Sequence, residues 1–172
     1  MRTNHAFFLK PGEARSGGPL DILGDRVWIK LGGADTDGSY AIMENLTEPQ
    51  AGPPLHRHRR EDESFYVLEG EYLFEVDGKQ IAAGPGCSIF APRGTAHTFQ
   101  NVGSTTGRML AMVQPAGLDL FFSELAGATS GLRQPDLPGM RELFQKYGLE
   151  LLGPPLRALT PVVRTAIHAV PA

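Results

Sequence analysis

Two histidines separated by one residue, His56 and His58, are followed five residues later by Glu63 and, further along, by His97. On an extended strand, residues i and i+2 point to the same face. His56 and His58 would then aim both imidazoles into one space, with backbones roughly 6–7 Å apart. Arg59-Arg60-Glu61-Asp62 reads as a solvated loop at the mouth of the site, after which Glu63 opens a neighbouring strand and turns its carboxylate to the same spot. His97 follows the turn signal Pro92-Arg93-Gly94 and starts an apolar run, Thr98-Phe99. Three imidazoles and one carboxylate form a ligand set for one divalent transition metal: Fe, Mn, Ni, Co, Cu or Zn. The donors alone do not choose among these metals. Such a set leaves one or two positions open for substrate, water or dioxygen, as catalysis requires.

A His-x-His pair by itself is common on exposed strand faces. Three of the five histidines in this chain fall in the set, however, leaving only His5 and His168 as ordinary surface residues. Arg57, between the two histidines, faces away from the metal by alternation. An arginine in the loop after His58 could greet an anionic substrate. Cys87 has no activating neighbour in sequence and reads as a small buried residue. Covalent-catalysis motifs and phosphate-binding glycine loops are absent.

The spacing His56-x-His58-x4-Glu63-x6-Gly70 resembles the first motif of the cupins, and Gly86-x5-Pro92-x-Gly94-x2-His97-x3-Asn101 resembles the second. The fifteen residues between Gly70 and Gly86 are similar to the short spacing of small bacterial cupins. One departure is visible: Gly52 lies four residues before the first histidine, where the family pattern has its early glycine five before. Pro115-Ala116-Gly117 with Phe121-Phe122, and the later Tyr147-Gly148-Leu149 and Gly153-Pro154-Pro155, resemble single-domain cupins of the quercetin 2,3-dioxygenase type. The resemblance implies an all-β double-stranded β-helix, or jelly roll, of six to ten strands. It also implies a metal-dependent enzyme, dioxygenase-like, in which Glu63 both binds the metal and takes the substrate proton. Cupins that isomerise, epimerise or decarboxylate use the same ligands, and some members only bind metal or ligand. A homodimer is a further implication, with the N-terminal arm available to cross to a partner.

The elements that must hold these residues are readable as strands. Val27–Leu31 and Ser39–Leu46 come first, and Tyr40, Ile42, Glu44 and Leu46 share one face of the second. Glu44 could point into the pocket as an extra acid, although a solvated or salt-bridged glutamate is the more common outcome. In the strand from Glu63 to Glu69, Glu63, Phe65 and Val67 share a face, so Phe65 and Val67 would line the cavity beside the metal, with Phe99 joining them. That makes the pocket partly aromatic and favours a small, planar substrate. Asp77-Gly78 is a hairpin turn between Glu71–Val76 and Gln80–Ala83. Cys87–Ala91, Thr95–Val102 and Arg108–Gln114 complete the sheet, with Asn101 suited to a turn because asparagine tolerates left-handed backbone angles.

After Pro115 the period changes. Leu118, Phe121, Phe122 and Leu125 repeat at helical spacing up to Gly127, and Met140, Leu143, Phe144 and Tyr147 do so up to Gly148, with a loop between. Two short helices packed outside the barrel follow. The tail from Leu156 is ambiguous, with Thr160-Pro161 a possible helix start. The organisation expected is an N-terminal arm (1–25), a barrel (26–115) and a helical extension of the same domain (116–172).

Composition bounds the rest. Glycine (21) and proline (14) make about a fifth of the chain, which suits many tight turns between short strands. A net charge of −3 and no basic run longer than Arg59-Arg60 argue against nucleic acid, and no helix-turn-helix signal precedes the histidines. No stretch nears the ~18 apolar residues of a membrane span. The first residues are too short an apolar run for a signal peptide, and one cysteine fits a reducing compartment, so a cytoplasmic location is expected.

Overall fold

The computed structural model describes residues 5–22, 25–130 and 137–156, without the side chains of Leu137 and Pro138. Eleven strands among them form two antiparallel sheets that face each other. The first sheet runs β1 (Leu20–Ile22), β2 (Asp25–Leu31), β3 (Ala41–Thr47), β10 (Gly107–Gln114), β5 (Asp62–Glu69), β8 (Ser88–Ala91). The second runs β11 (Leu149–Pro155), β4 (Pro54–His58), β9 (His97–Asn101), β6 (Tyr72–Val76), β7 (Lys79–Ala83). Helices α1 (Gly33–Thr36), α2 (Leu118–Thr129) and α3 (Leu137–Tyr147) complete it. This is the all-β jelly roll that the motifs imply, with eleven strands against the six to ten expected.

The period-two pattern decides which side chains enter the barrel. Along β3, Ala41, Met43, Asn45 and Thr47 are buried and the residues between them are not. Glu44 therefore points outward, where it pairs with Lys30 Nζ and Arg108 Nε, each at 2.9 Å. Its bland assignment holds, and the pocket-acid alternative is ruled out. Along β5, Glu63, Phe65 and Val67 face in and Tyr66 faces out. Met43, Val67, Phe74 and Met109 meet between the sheets, and full burial of each such side chain is worth about 1.5–3 kcal/mol. The hairpin of β6 and β7 turns at Asp77 (φ 51°) and Gly78 (φ 73°), the left-handed pair that matches strand twist.

Three elements differ from expectation, and the first is α1, a single turn of helix where only a glycine-closed strand end was read. β1 adds a strand inside the segment expected as an arm, beside β2. β11 adds an edge to the second sheet, pairing Leu149 with His58 and Leu151 with His56. Gly153, Pro154 and Pro155 concealed it, since proline is allowed only at a sheet edge and there is no alternation to read. α2 runs two residues past Gly127 before it stops. Asp119 ties α2 to the barrel: its Oδ2 accepts from Gly33 N–H at 2.9 Å. The proposed helix start at Thr160-Pro161 and His168 lie outside the described residues.

Candidate metal centre

β4 and β9 are neighbours in the second sheet, with His56 directly opposite His97. His58 follows two residues on, and β5 brings Glu63 across from the facing sheet. The four side chains converge: one donor atom from each of His56, His58, Glu63 and His97 lies within 4.8 Å of all the others. His56 Nε2 is 3.1 Å from His58 Nε2, and Glu63 Oε2 is 3.2 Å from His58 Nε2 and 3.0 Å from His97 Nε2. Bonds of ~2.1 Å at about 90° would put neighbouring donors about 3.0 Å apart, so this cluster fits a divalent ion.

The rings are held from behind. His56 donates Nδ1–H to the Pro54 carbonyl (2.8 Å) and His97 donates Nδ1–H to that of Thr95 (3.0 Å), which leaves both Nε2 atoms facing the cluster. Burial, with His97 and His58 alongside, pushes His56 down to about 3. Burial alone would raise Glu63, but the surrounding imidazoles of His58, His97 and His56 outweigh it and hold the carboxyl at about 2. His97 moves the other way: burial opposes its charge, yet its bond to Glu63 and the attraction between them raise it above the ordinary imidazole value. Without metal, His97 is the imidazolium partner of the Glu63 carboxylate. A divalent cation fits the same spot by displacing that proton.

Glu61 was expected in a solvated loop and is instead buried. Arg59 and Arg60 stay exposed, but Arg59 N–H bonds the Gly148 carbonyl and the Arg60 side chain covers Gly148, which turns the chain inward at Glu61. There Glu61 Oε2 stands 3.6 Å from His58 Nδ1, and both atoms are buried without a hydrogen-bond partner among the described residues. Sequence periodicity had no means of finding it, because the reversal depends on α3 and β11. Arg57 does face outward, where it and Arg59 pair with Glu150 on β11.

A cavity of about 1040 Å³ opens from the cluster, with His56, His58 and Glu63 in its wall. Phe65 and Phe99 line it, their rings 5.8 Å apart and edge to face. Val67, expected beside them, is a correction: it is fully buried against Met109 of β10 and does not reach the cavity wall. The far wall comes from α2, α3 and β11, including Phe121, Phe144 and Leu149. The helices therefore pack over the barrel and also close its pocket. Asn101 organises its turn by another route than a left-handed angle: its Nδ2 donates to the Thr47 and Thr105 carbonyls and its Oδ1 accepts from Gly103 N–H. Cys87 is half-buried at the edge of the core.

Residues 46–113 match the family model for the cupin domain. Over that stretch the chain carries a cupin domain. Among curated relatives of this cupin, a quercetin 2,3-dioxygenase of Bacillus subtilis (strain 168) is 28% identical over 128 residues, 73% of this chain and 36% of that protein. An oxalate-binding protein of Thermotoga maritima is 34% identical over 65 residues, 38% of this chain and 54% of that protein. The cupin thus spans about a third to a half of the length of these relatives. Among solved structures, KdgF from a Halomonas species superposes with a TM-score of 0.59 at 19% identity, covering 68% of this chain and 99% of that one. An RmlC-like cupin from Shewanella frigidimarina gives 0.56 at 22% identity, covering 70% and 99%. At those identities the likeness speaks to fold alone. Among the described residues no helix is long and apolar enough to cross a membrane.

Proposed function

We propose that this single-domain cupin is a metal-dependent enzyme that acts on a small, planar, flavonol-like substrate, with dioxygenation as its reaction. What supports this most is one observation: the four-donor cluster opens directly into a cavity of drug-like size with aromatic walls. The similarity to a quercetin 2,3-dioxygenase points to the substrate class. Held by His56, His58, Glu63 and His97, a divalent ion would supply Lewis-acid polarisation of a substrate oxygen and a redox route to dioxygen. The chain's own part begins with position. Phe65 and Phe99 hold a flat ring edge-on to the cluster, and α2 and α3 exclude water from it.

Glu63 then moves a proton. Both of its imidazole contacts use Oε2, which leaves Oε1 as the oxygen toward which a substrate hydroxyl proton can pass. His56 and His97 stay fixed through Nδ1 while this happens. The test is oxygen uptake by protein loaded in turn with each plausible metal, against a panel of flavonols and catechols. Uptake that requires both metal and flavonol supports the assignment. No uptake with any metal overturns it.

The similarity to an oxalate-binding protein favours a second assignment, a non-catalytic metal and ligand binder. Isomerase, epimerase or decarboxylase chemistry on the same donors is the other alternative. Saturable binding of a dicarboxylate to the loaded protein, without turnover, would select the binder. A homodimer in a cytoplasmic setting completes the proposal. The outer face of the first sheet supports pairing, since Tyr66 (47% exposed), Phe90 (59%) and Met112 (41%) lie on neighbouring strands there. Light scattering in solution tests it.

A further inference from the structure

The cavity has a second polar end. Asp25 of β2 and Asn45 and Thr47 of β3 all line it; Asp25 Oδ1 and Asn45 Oδ1 are buried with no hydrogen-bond partner among the described residues, and the Thr47 hydroxyl meets the buried hydroxyl of Tyr72. One such atom costs about 1–3 kcal/mol when left unpaired, and folded proteins hold few of them. Two in the wall of one cavity, beside the Thr47 hydroxyl, point to a group outside the chain that completes their bonding.

Their position follows from register. Glu63 pairs with Val113, and Val113 pairs with Ala41, so Ala41 marks the level of the metal donors on β3. Asn45 is four residues further along the same strand, roughly 13–14 Å away. Between the two ends the wall is apolar, with Phe65, Phe99 and Leu118 among its members. Chemically the far end is a set of acceptors. Asp25 already uses its carboxylate to accept from the backbone N–H of Glu48. Asn45 offers a carbonyl oxygen, and the Thr47 hydroxyl can accept or donate. Burial, with Glu48 and Asp21 nearby, pushes the Asp25 carboxyl up to about 6, as expected for an acid that lacks sufficient donors.

We propose that Asp25, Asn45 and Thr47 form a second recognition site at the end of the cavity away from the metal donors, one that takes the hydroxyl-bearing end of an elongated aromatic ligand. The inference rests on the assignment of this cavity as the substrate site. The ligand spans the barrel: one end meets the metal donors, a flat apolar body lies against Phe65 and Phe99, and a donor-bearing end satisfies the distal oxygens. Selection among aromatic substrates is then made by hydroxyl position at the far end and not by the metal.

The test uses the 172-residue chain stripped of metal, so its outcome is independent of metal binding and of any oxygenase activity. Loss of oxygen uptake would sink the dioxygenase assignment and leave this one standing. Two probes of matched shape, 4-hydroxybiphenyl and 4-methoxybiphenyl, are titrated calorimetrically; only the first can donate a hydrogen bond. The wild-type protein should bind the hydroxyl compound about tenfold more tightly. That preference should fall to about threefold or less in Asn45→Leu and, separately, in Asp25→Asn, which keeps the shape of the side chain. Ligand-free Asn45→Leu should melt no lower than wild type, because it removes an unpaired oxygen; a structural asparagine would show a lower Tm instead. The proposal is overturned if wild type shows no hydroxyl preference, if the preference survives both variants, or if neither compound binds. In those cases buried water completes the bonding of Asp25 and Asn45.

Discussion

Glu61 Oε2 faces His58 Nδ1 across 3.6 Å, in a place closed to solvent, and neither atom has another partner among the described residues. The gap is a few tenths of an ångström beyond a hydrogen bond. Binding of a cation at His58 Nε2 would draw Nδ1–H and the carboxylate together, orienting the ring and raising its basicity as a ligand. Replacing Glu61 by alanine should weaken metal binding by about 10–100-fold in a chelator competition, with an unchanged far-ultraviolet circular dichroism spectrum. Glu61→Gln, which keeps an acceptor, should recover part of the loss. Equal affinity in wild type and Glu61→Ala would mean that the acid plays no part in the centre.

Proton release should accompany metal binding. With Glu63 holding His97 above the ordinary imidazole value, the metal-free site carries a proton at about pH 6 that a cation must displace. Affinity should therefore fall as pH drops, by about tenfold per unit below the His97 value. Calorimetry in buffers of different ionisation enthalpy should count close to one proton released per ion near pH 6. A count near zero would remove His97 from the ligand set.

The acid at the far end of the cavity gives a stability signature. Burial is the main reason that Asp25 titrates at about 6, against an ordinary 3.8, with the Glu48 backbone bond opposing it and the Glu48 and Asp21 charges adding to it. A carboxyl whose folded value is raised stabilises the fold fully below its unfolded value and loses that contribution as pH rises through the folded one. Its share of stability, up to about 3 kcal/mol, should decline between pH 4 and pH 6.5. Urea unfolding across that window should show a steeper decline in wild type than in Asp25→Asn. Parallel curves would contradict the burial of this acid.

Gly52 has a steric role. Its backbone lies so close to β9 that a Cβ would run into the carbonyl of Phe99, and backbone on both sides leaves little room to yield. Gly52→Ala should cost about 2–3 kcal/mol, the upper range for overpacking, and lower Tm by several degrees. An unchanged Tm would show that the Pro53-Pro54 entry to β4 can shift freely.

How much of this was legible in the sequence depends on how local each cause is. His56, His58, Glu63 and His97 could be read because pleat direction and strand pairing are set by neighbours in the chain, and their convergence followed from the motif spacing. Phe65 lines the cavity on the face that the same alternation gives it. Val67 obeys the alternation as well, but how far the cavity extends along β5 is a property of the opposite wall, and no period-two rule reports it. Glu61 was hidden because its inward turn depends on Gly148, nearly ninety residues away in sequence. β11 lacked any strand pattern, being held by pairing with β4 and by Glu150 bridging Arg57 and Arg59. The distal trio was invisible for a related reason: Asn45 and Thr47 look like ordinary polar strand residues until β3 is seen to turn them inward.

Metal content decides the central claim most directly. The 172-residue chain, purified without chelator and loaded with a divalent transition metal, should carry one ion per chain by elemental analysis. His58→Ala and His97→Ala should carry about a tenth of that or less while keeping the circular dichroism of a folded barrel. Undiminished metal in both folded variants would contradict a centre built from His56, His58, Glu63 and His97.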